Sequence, residues 1–254
     1  MNLKRIIFLL LLLLLLFSFF QKERLPSNFD VDDRLYQDPI QTKVDKDVFQ
    51  IEKNRIVYKI EPLYEYELYG MIVSYHHSDS LFDYYHMKWS DFLNVKDICV
   101  IWGDNIKEKV YESLEFKNGS WTCYVEGSRK DLNQLKENEL SNNHLLSDKK
   151  EVSDSIIRSG IGDQIYLKGY LVKYSIIDGN FSRGTSVTRD DKKGGACETI
   201  YVTDFIILDR ANYYWHLIFS ISKYSIIAYL ILYIIFLFYK LVRRYHFKYK
   251  HSNL

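Results

Sequence analysis

The runs Gly162-Asp163-Gln164-Ile165-Tyr166-Leu167-Lys168-Gly169-Tyr170-Leu171 and Thr199-Ile200-Tyr201-Val202-Thr203-Asp204-Phe205-Ile206-Ile207-Leu208 decide the fold. Both are rich in β-branched and aromatic residues, which suit the pleated, half-buried surface of a strand. The first continues to residue 176 and ends at the turn signal Asp178-Gly179; a polar loop over residues 183–196 then leads into the second.

Working back from this pair, residues 128–160 are polar, and helical pieces are expected over 130–138 and 151–158. Residues 110–117 and 120–126 flank Asn118-Gly119, a strong hairpin signal. Ile98-Cys99-Val100-Ile101-Trp102 is a short apolar run that ends at Gly103, as a buried strand does. Residues 81–93 place Leu81, Tyr84, Tyr85, Met87, Trp89 and Phe92 near helical spacing, with Ser78 or Asp79 as N-cap. Strands are expected over 55–60 and over 64–76, where Gly70 marks a bend. The polar residues 22–47, with Pro26, Pro39 and several aspartates, read as a linker.

The order is strand, strand, strand pair, helices, strand, strand. Residues 162–171 resemble the fourth strand of an oligonucleotide/oligosaccharide-binding (OB) barrel, 199–208 its fifth, and 64–76 its first. The resemblance implies a small Greek-key barrel closed by three strands, a helix and two more strands. Residues 78–96 have no place in that minimal pattern. The expected class is α+β, mainly β: an OB-like small barrel with inserted helices, flanked by two transmembrane helices.

The ends supply those helices. Residues 6–20 are apolar except for Ser18 and follow the basic start Lys4-Arg5, the pattern of a signal anchor or a signal peptide. Phe19-Phe20-Gln21-Lys22 offers no small-x-small cleavage pattern, which favours a retained anchor over residues 1–21. Residues 224–242 are interrupted only by Ser225 and Lys240, and Tyr213, Tyr214, Trp215, Tyr239 and Tyr245 flank them as interfacial aromatics do. We therefore read 211–242 as an aromatic interface and a transmembrane helix. Residues 243–254 hold Arg243, Arg244, Lys248 and Lys250 with no acid, which marks a cytoplasmic tail. Both termini are then cytoplasmic and residues 48–210 form an extracytoplasmic β-rich domain, periplasmic in a Gram-negative cell. The whole resembles bacterial envelope proteins with two terminal spans, which implies no activity.

Charge narrows the partners. All 33 acidic residues lie between Glu23 and Asp209, against 26 of the 34 basic ones within residues 6–222, so the middle of the chain carries −7. That charge repels phosphate backbones, and the expected topology removes the domain from cytoplasmic nucleic acid, so no nucleic-acid partner is expected. The membrane and other envelope proteins are.

Candidate chemistry is sparse. His76, His77, Asp79, Asp83 and His86 supply nitrogen and carboxylate donors of the type that hold zinc or another divalent ion, although the spacing fits no HExxH-type signature. Arg183 and Arg189, in a loop with hydroxyls and glycines, are candidates for binding a carboxylate or phosphate; a P-loop ending is missing. Of three cysteines, Cys99 and Cys123 lie in predicted strands and are the favoured disulfide, leaving Cys197. No cofactor is predicted beyond that possible divalent metal. The leading expectation is a membrane-anchored binding or assembly module; the alternative is a metal-dependent membrane-bound enzyme using the His76–His86 cluster.

Overall fold

A computed structural model of the chain describes residues 3–27, 30–77, 91–119, 122–188 and 197–252. They form two compact bodies: Leu25–Ala211, and the two chain ends Met1–Arg24 with Asn212–Leu254.

In the first body the strands are β1 (Ile40–Lys43), β2 (Phe49–Lys53), β3 (Ile56–His77), β4 (Asn94–Ile101), β5 (Glu115–Asn118), β6 (Cys123–Glu126), β7 (Leu140–Leu146), β8 (Gln164–Ile176), β9 (Ser182–Arg183) and β10 (Cys197–Asp209). Its helices are short: α2 (Asp104–Lys107), α3 (Arg129–Leu132) and α4 (Lys150–Arg158), α1 being the N-terminal helix Leu3–Gln21.

The sheet closes on itself. β3 pairs with β4, β4 with β7, β7 with β10, β10 with β8, and β8 returns to β3. Among the described strands only β7 and β10 run parallel. The domain is thus α+β with a closed five-stranded barrel, built from three strands, a helix (α4) and two strands in chain order. Closure depends on the length of β3: its 22 residues meet β2, β1 and β4 in turn along one edge and β8 along the other. Gly70 sits where β3 lies against both β8 and β4, and a methyl there would overlap Val100 and come within 2.8 Å of Ile101 O.

Alternate residues of the barrel strands point inward. Tyr66, Leu68, Ile72, Ile98, Val100, Leu145, Ile165, Leu167, Ile200 and Val202 fill the interior, and Ile156 of α4 plugs one end. Each large aliphatic side chain buried this way contributes roughly 2 kcal/mol. Lys96 is also fully buried; its ammonium donates to Ser159 O at 2.6 Å and lies 3.9 Å from the centroid of the Tyr75 ring, which offsets its desolvation.

Several expectations need correction. The two strands expected over 55–60 and 64–76 are one strand, because β8 pairs with residues on both sides of Pro62. The third barrel strand is β7, within the region read as polar and helical. Ser141, Asn142, Asn143 and His144 are all buried, so hydrophobicity gives no sign of this strand; its ladders to β4 and β10 make it one. The Asn118-Gly119 hairpin exists as a separate two-stranded sheet, but Asn118 pairs with Cys123, so the connection is four residues rather than two. Residues 110–113 form a 3-10 turn, and the helix expected over 130–138 is only α3. The linker read into residues 22–47 contributes a fully buried Leu35 and strand β1 to the domain. The helix expected over 81–93 lies almost wholly outside the described residues.

The second body is a helical pair, α1 and α5 (Tyr213–Ser252). Phe8 meets Tyr229 and Phe17 meets Trp215, so the helices run antiparallel. Small Ser18 and Ser222, 0% and 2% exposed, sit in the seam, and Ser18 Oγ returns its hydrogen to Leu14 O. Asn212 Nδ2 donates to Arg24 O at 2.6 Å and fastens the ends together. Within α5, Tyr213–Arg244 is long and apolar enough to cross a membrane, and none of its most apolar window is buried. α1 is also apolar, over Arg5–Gln21 of the described side chains. The segment expected as a basic tail continues α5 as helix through Ser252.

Candidate functional site

A group of buried polar residues lies on the outer face of β4, β7 and β10. Strand alternation turns Ile98, Leu145 and Ile200 inward and leaves Asp97, His144 and Thr199 facing out. Asp97 and His144 are register partners on β4 and β7, and Oδ1 meets Nδ1 at 2.7 Å, with both residues 1% exposed. Asn94 Nδ2 donates to the same Oδ1 at 2.8 Å. Burial pushes the Asp97 carboxyl up, but the adjacent His144, the Asn94 amide and the charge of Arg183 more than offset it, holding the carboxyl down at about 2.

With Asp97 ionised and able only to accept, Nδ1 of His144 donates its hydrogen to Oδ1. Among the described residues nothing hydrogen-bonds to Nε2, and no hydroxyl or thiol stands in the relation of nucleophile to base.

Around it lie further buried polar contacts. Tyr174 OH donates to Asp91 Oδ2 at 2.8 Å, and burial followed by the Asp91 charge drives the phenol well above its ordinary value. Phe92 N–H donates to Tyr58 OH at 3.0 Å, and Tyr201 OH donates to Asp148 at 2.7 Å. Next along β7, Asn142 Nδ2 donates to Cys197 Sγ at 3.6 Å and Oδ1 accepts from Asn118 at 2.8 Å. Burial pushes the Cys197 thiol up, which makes it a poor nucleophile.

The structure places the sequence candidates unevenly. His76 is exposed at the end of β3, and the backbone of His77 closes that strand. Asp79, Asp83 and His86 lie outside the described residues, and among those described no group of three or more His, Cys, Asp or Glu side chains gathers to hold a metal. Arg183 is not on a solvated loop: it pairs with Tyr174 as part of β9, its Nε and Nη1 are buried, and its charge acts on Asp97. Arg189 lies outside the described residues. Cys99 and Cys123 are joined as a disulfide, Cα atoms 5.9 Å apart, which fastens the β5–β6 hairpin to β4.

A shallow pocket of about 230 Å³ opens beside β9, where Lys59, Glu61, Lys173, Ser175 and Ser182 meet. Arg183 lines it too, so three cations face the single carboxylate of Glu61 and the lining is net positive. Asp97 and His144 were missed in the sequence because they stand 47 residues apart in runs without a motif; only strand pairing joins them. No family model, curated protein or solved structure matches this chain.

Proposed function

We propose that the chain is a membrane-anchored envelope protein whose barrel is an extracytoplasmic binding or assembly module, held by two helices with both termini in the cytoplasm. The observation that carries this reading is the α1–α5 pair. An antiparallel pair returns the chain to the end at which it entered, so Arg24 and Asn212 share one end and the basic N-terminal residues lie toward the other. The α5 window that is wholly unburied needs an apolar medium, and lipid supplies one on every free face. Arg243 and Arg244 follow the apolar stretch, as the positive-inside rule requires.

The binding assignment rests on the closed five-stranded barrel, an architecture that takes ligands on its surface and in its loops. An OB-like barrel on an acidic domain fits a peptide, glycan or protein ligand better than a nucleic acid.

The test pairs alkaline extraction of membranes with a reporter inserted in the β5–β6 connection at residue 120. Retention in the membrane with reporter signal outside the cytoplasm is expected. Release of the intact chain, or a reporter active only inside, would overturn the reading.

A further inference from the structure

The ring contacts between α1 and α5 fix a stagger that the sequence leaves open. Phe8 lies beside Tyr229, with ring centroids 5.3 Å apart. Arg5, one turn earlier on α1, is then level with about residue 232 of α5, since both helices rise about 1.5 Å per residue. Beyond that level α5 continues through Tyr233, Ile234, Ile235, Phe236, Leu237 and Phe238, all at least 41% exposed. The apolar run lasts to Val242, about 15 Å past Arg5.

The two helices therefore present different apolar lengths. At this stagger residues 6–20 of α1, about 22 Å long, lie level with about residues 217–231 of α5, whereas α5 stays apolar, apart from Lys223 and Lys240, for about 15 Å beyond Arg5. At the opposite end of α1 the Lys22 ammonium folds back over the rings of Phe19 and Phe219, at 5.3 and 5.2 Å, as a snorkelling lysine does at an interface. A bilayer of uniform thickness matched to α5 would draw Arg5 into hydrocarbon; one matched to α1 would leave the last turns of α5 in water. A helix too short for its membrane is accommodated by thinning the lipid beside it.

We infer that the helical pair fits an unevenly thick lipid belt, thinned on the α1 side by Arg5, and that the protein favours bilayers of short-chain lipid. The inference rests on the anchoring proposed above and names the lipid that the anchor selects.

The test reconstitutes the full chain in phosphatidylcholine nanodiscs of short, medium and long monounsaturated chains and follows thermal melting of the helices. The melting temperature should peak in the thinner discs. Lys4→Leu with Arg5→Leu lengthens the apolar run of α1 by three residues, and should move the optimum toward bilayers thicker by about 4–5 Å. A flat profile, a wild-type optimum in the longest chains, or an optimum the double substitution leaves in place would overturn the inference. Should the variant fail to insert, the wild-type profile alone decides. Alkaline extraction separates the two failures: a chain that stays in the membrane yet ignores thickness refutes the thinning, whereas a chain that washes off refutes the anchor.

Discussion

Replacing Gly169 by alanine tests barrel closure at its tightest point. Gly169 on β8 pairs with Val202 on β10, beside a register shift between Val202 and Asp204. A methyl added there would overlap the Tyr201 carbonyl oxygen and stand only 3.0 Å from Val202 Cα. All of its nearest neighbours are backbone, so no side chain can rotate away. β8 is also held by β3 on its other edge, so the strain cannot be relieved by moving β8 alone. In an unconstrained strand alanine would be better than glycine by about 0.5–1 kcal/mol. Overpacking against fixed neighbours costs about 1–3 kcal/mol. The net expectation is a loss of about 1–2 kcal/mol, a melting temperature lower by roughly 3–8 °C for a domain of this size. Gly184→Ala is the control, because nothing lies within 4 Å of the added methyl; it should melt within about 2 °C of wild type. The assay is thermal unfolding of the full chain in mild detergent, followed by near-ultraviolet circular dichroism. Wild-type or higher stability for Gly169→Ala would show that the β8–β10 seam is looser than the barrel requires.

Other expectations follow from the same geometry. Asp163 is 1% exposed and accepts Gly160 N–H at 2.9 Å and Ala211 N–H at 3.0 Å, yet burial outweighs these bonds and raises its carboxyl to about 6. The folded chain then holds this proton more tightly than the unfolded one, so about 3 kcal/mol of stability present below pH 4 is lost as pH rises through 6; Asp163→Asn should flatten that slope in melting curves between pH 4 and 7. Asp97 acts in the opposite sense: its lowered carboxyl adds stability above pH 4 that disappears as pH falls toward 2. His144→Ala should cost about 3–5 kcal/mol in urea unfolding by leaving Asp97 buried without its partner, and a cost under 1 kcal/mol would mean that the pair is not closed. Cys123→Ser removes a link across 24 residues and should cost about 3 kcal/mol, matched by adding reductant to wild type and by no further loss when reductant is added to the variant.

Local pattern sets much of this protein before any tertiary contact forms. β8, β10 and α4 lie where their residues predict them, because strand-forming composition and helical spacing are properties of neighbours in the chain. The apolar ends and their basic flanks are legible for the same reason. What escapes is whatever depends on pairing between distant segments. β7 carries Ser, Asn, Asn and His, and only the ladders to β4 and β10 turn that polar run into a buried strand. β3 is a single strand because β8 supports it across Pro62, a residue that by itself signals a break. The Asp97–His144 pair and the stagger of α1 on α5 arise from register, and register is an outcome of closing the barrel and packing the helices. Sequence determined the segments whose local pattern is strong, such as β8, β10, α4 and the apolar ends, since those depend on short-range sterics and hydrophobicity. The fold decided which polar groups meet, because burying one requires a partner that only the closed sheet brings within reach.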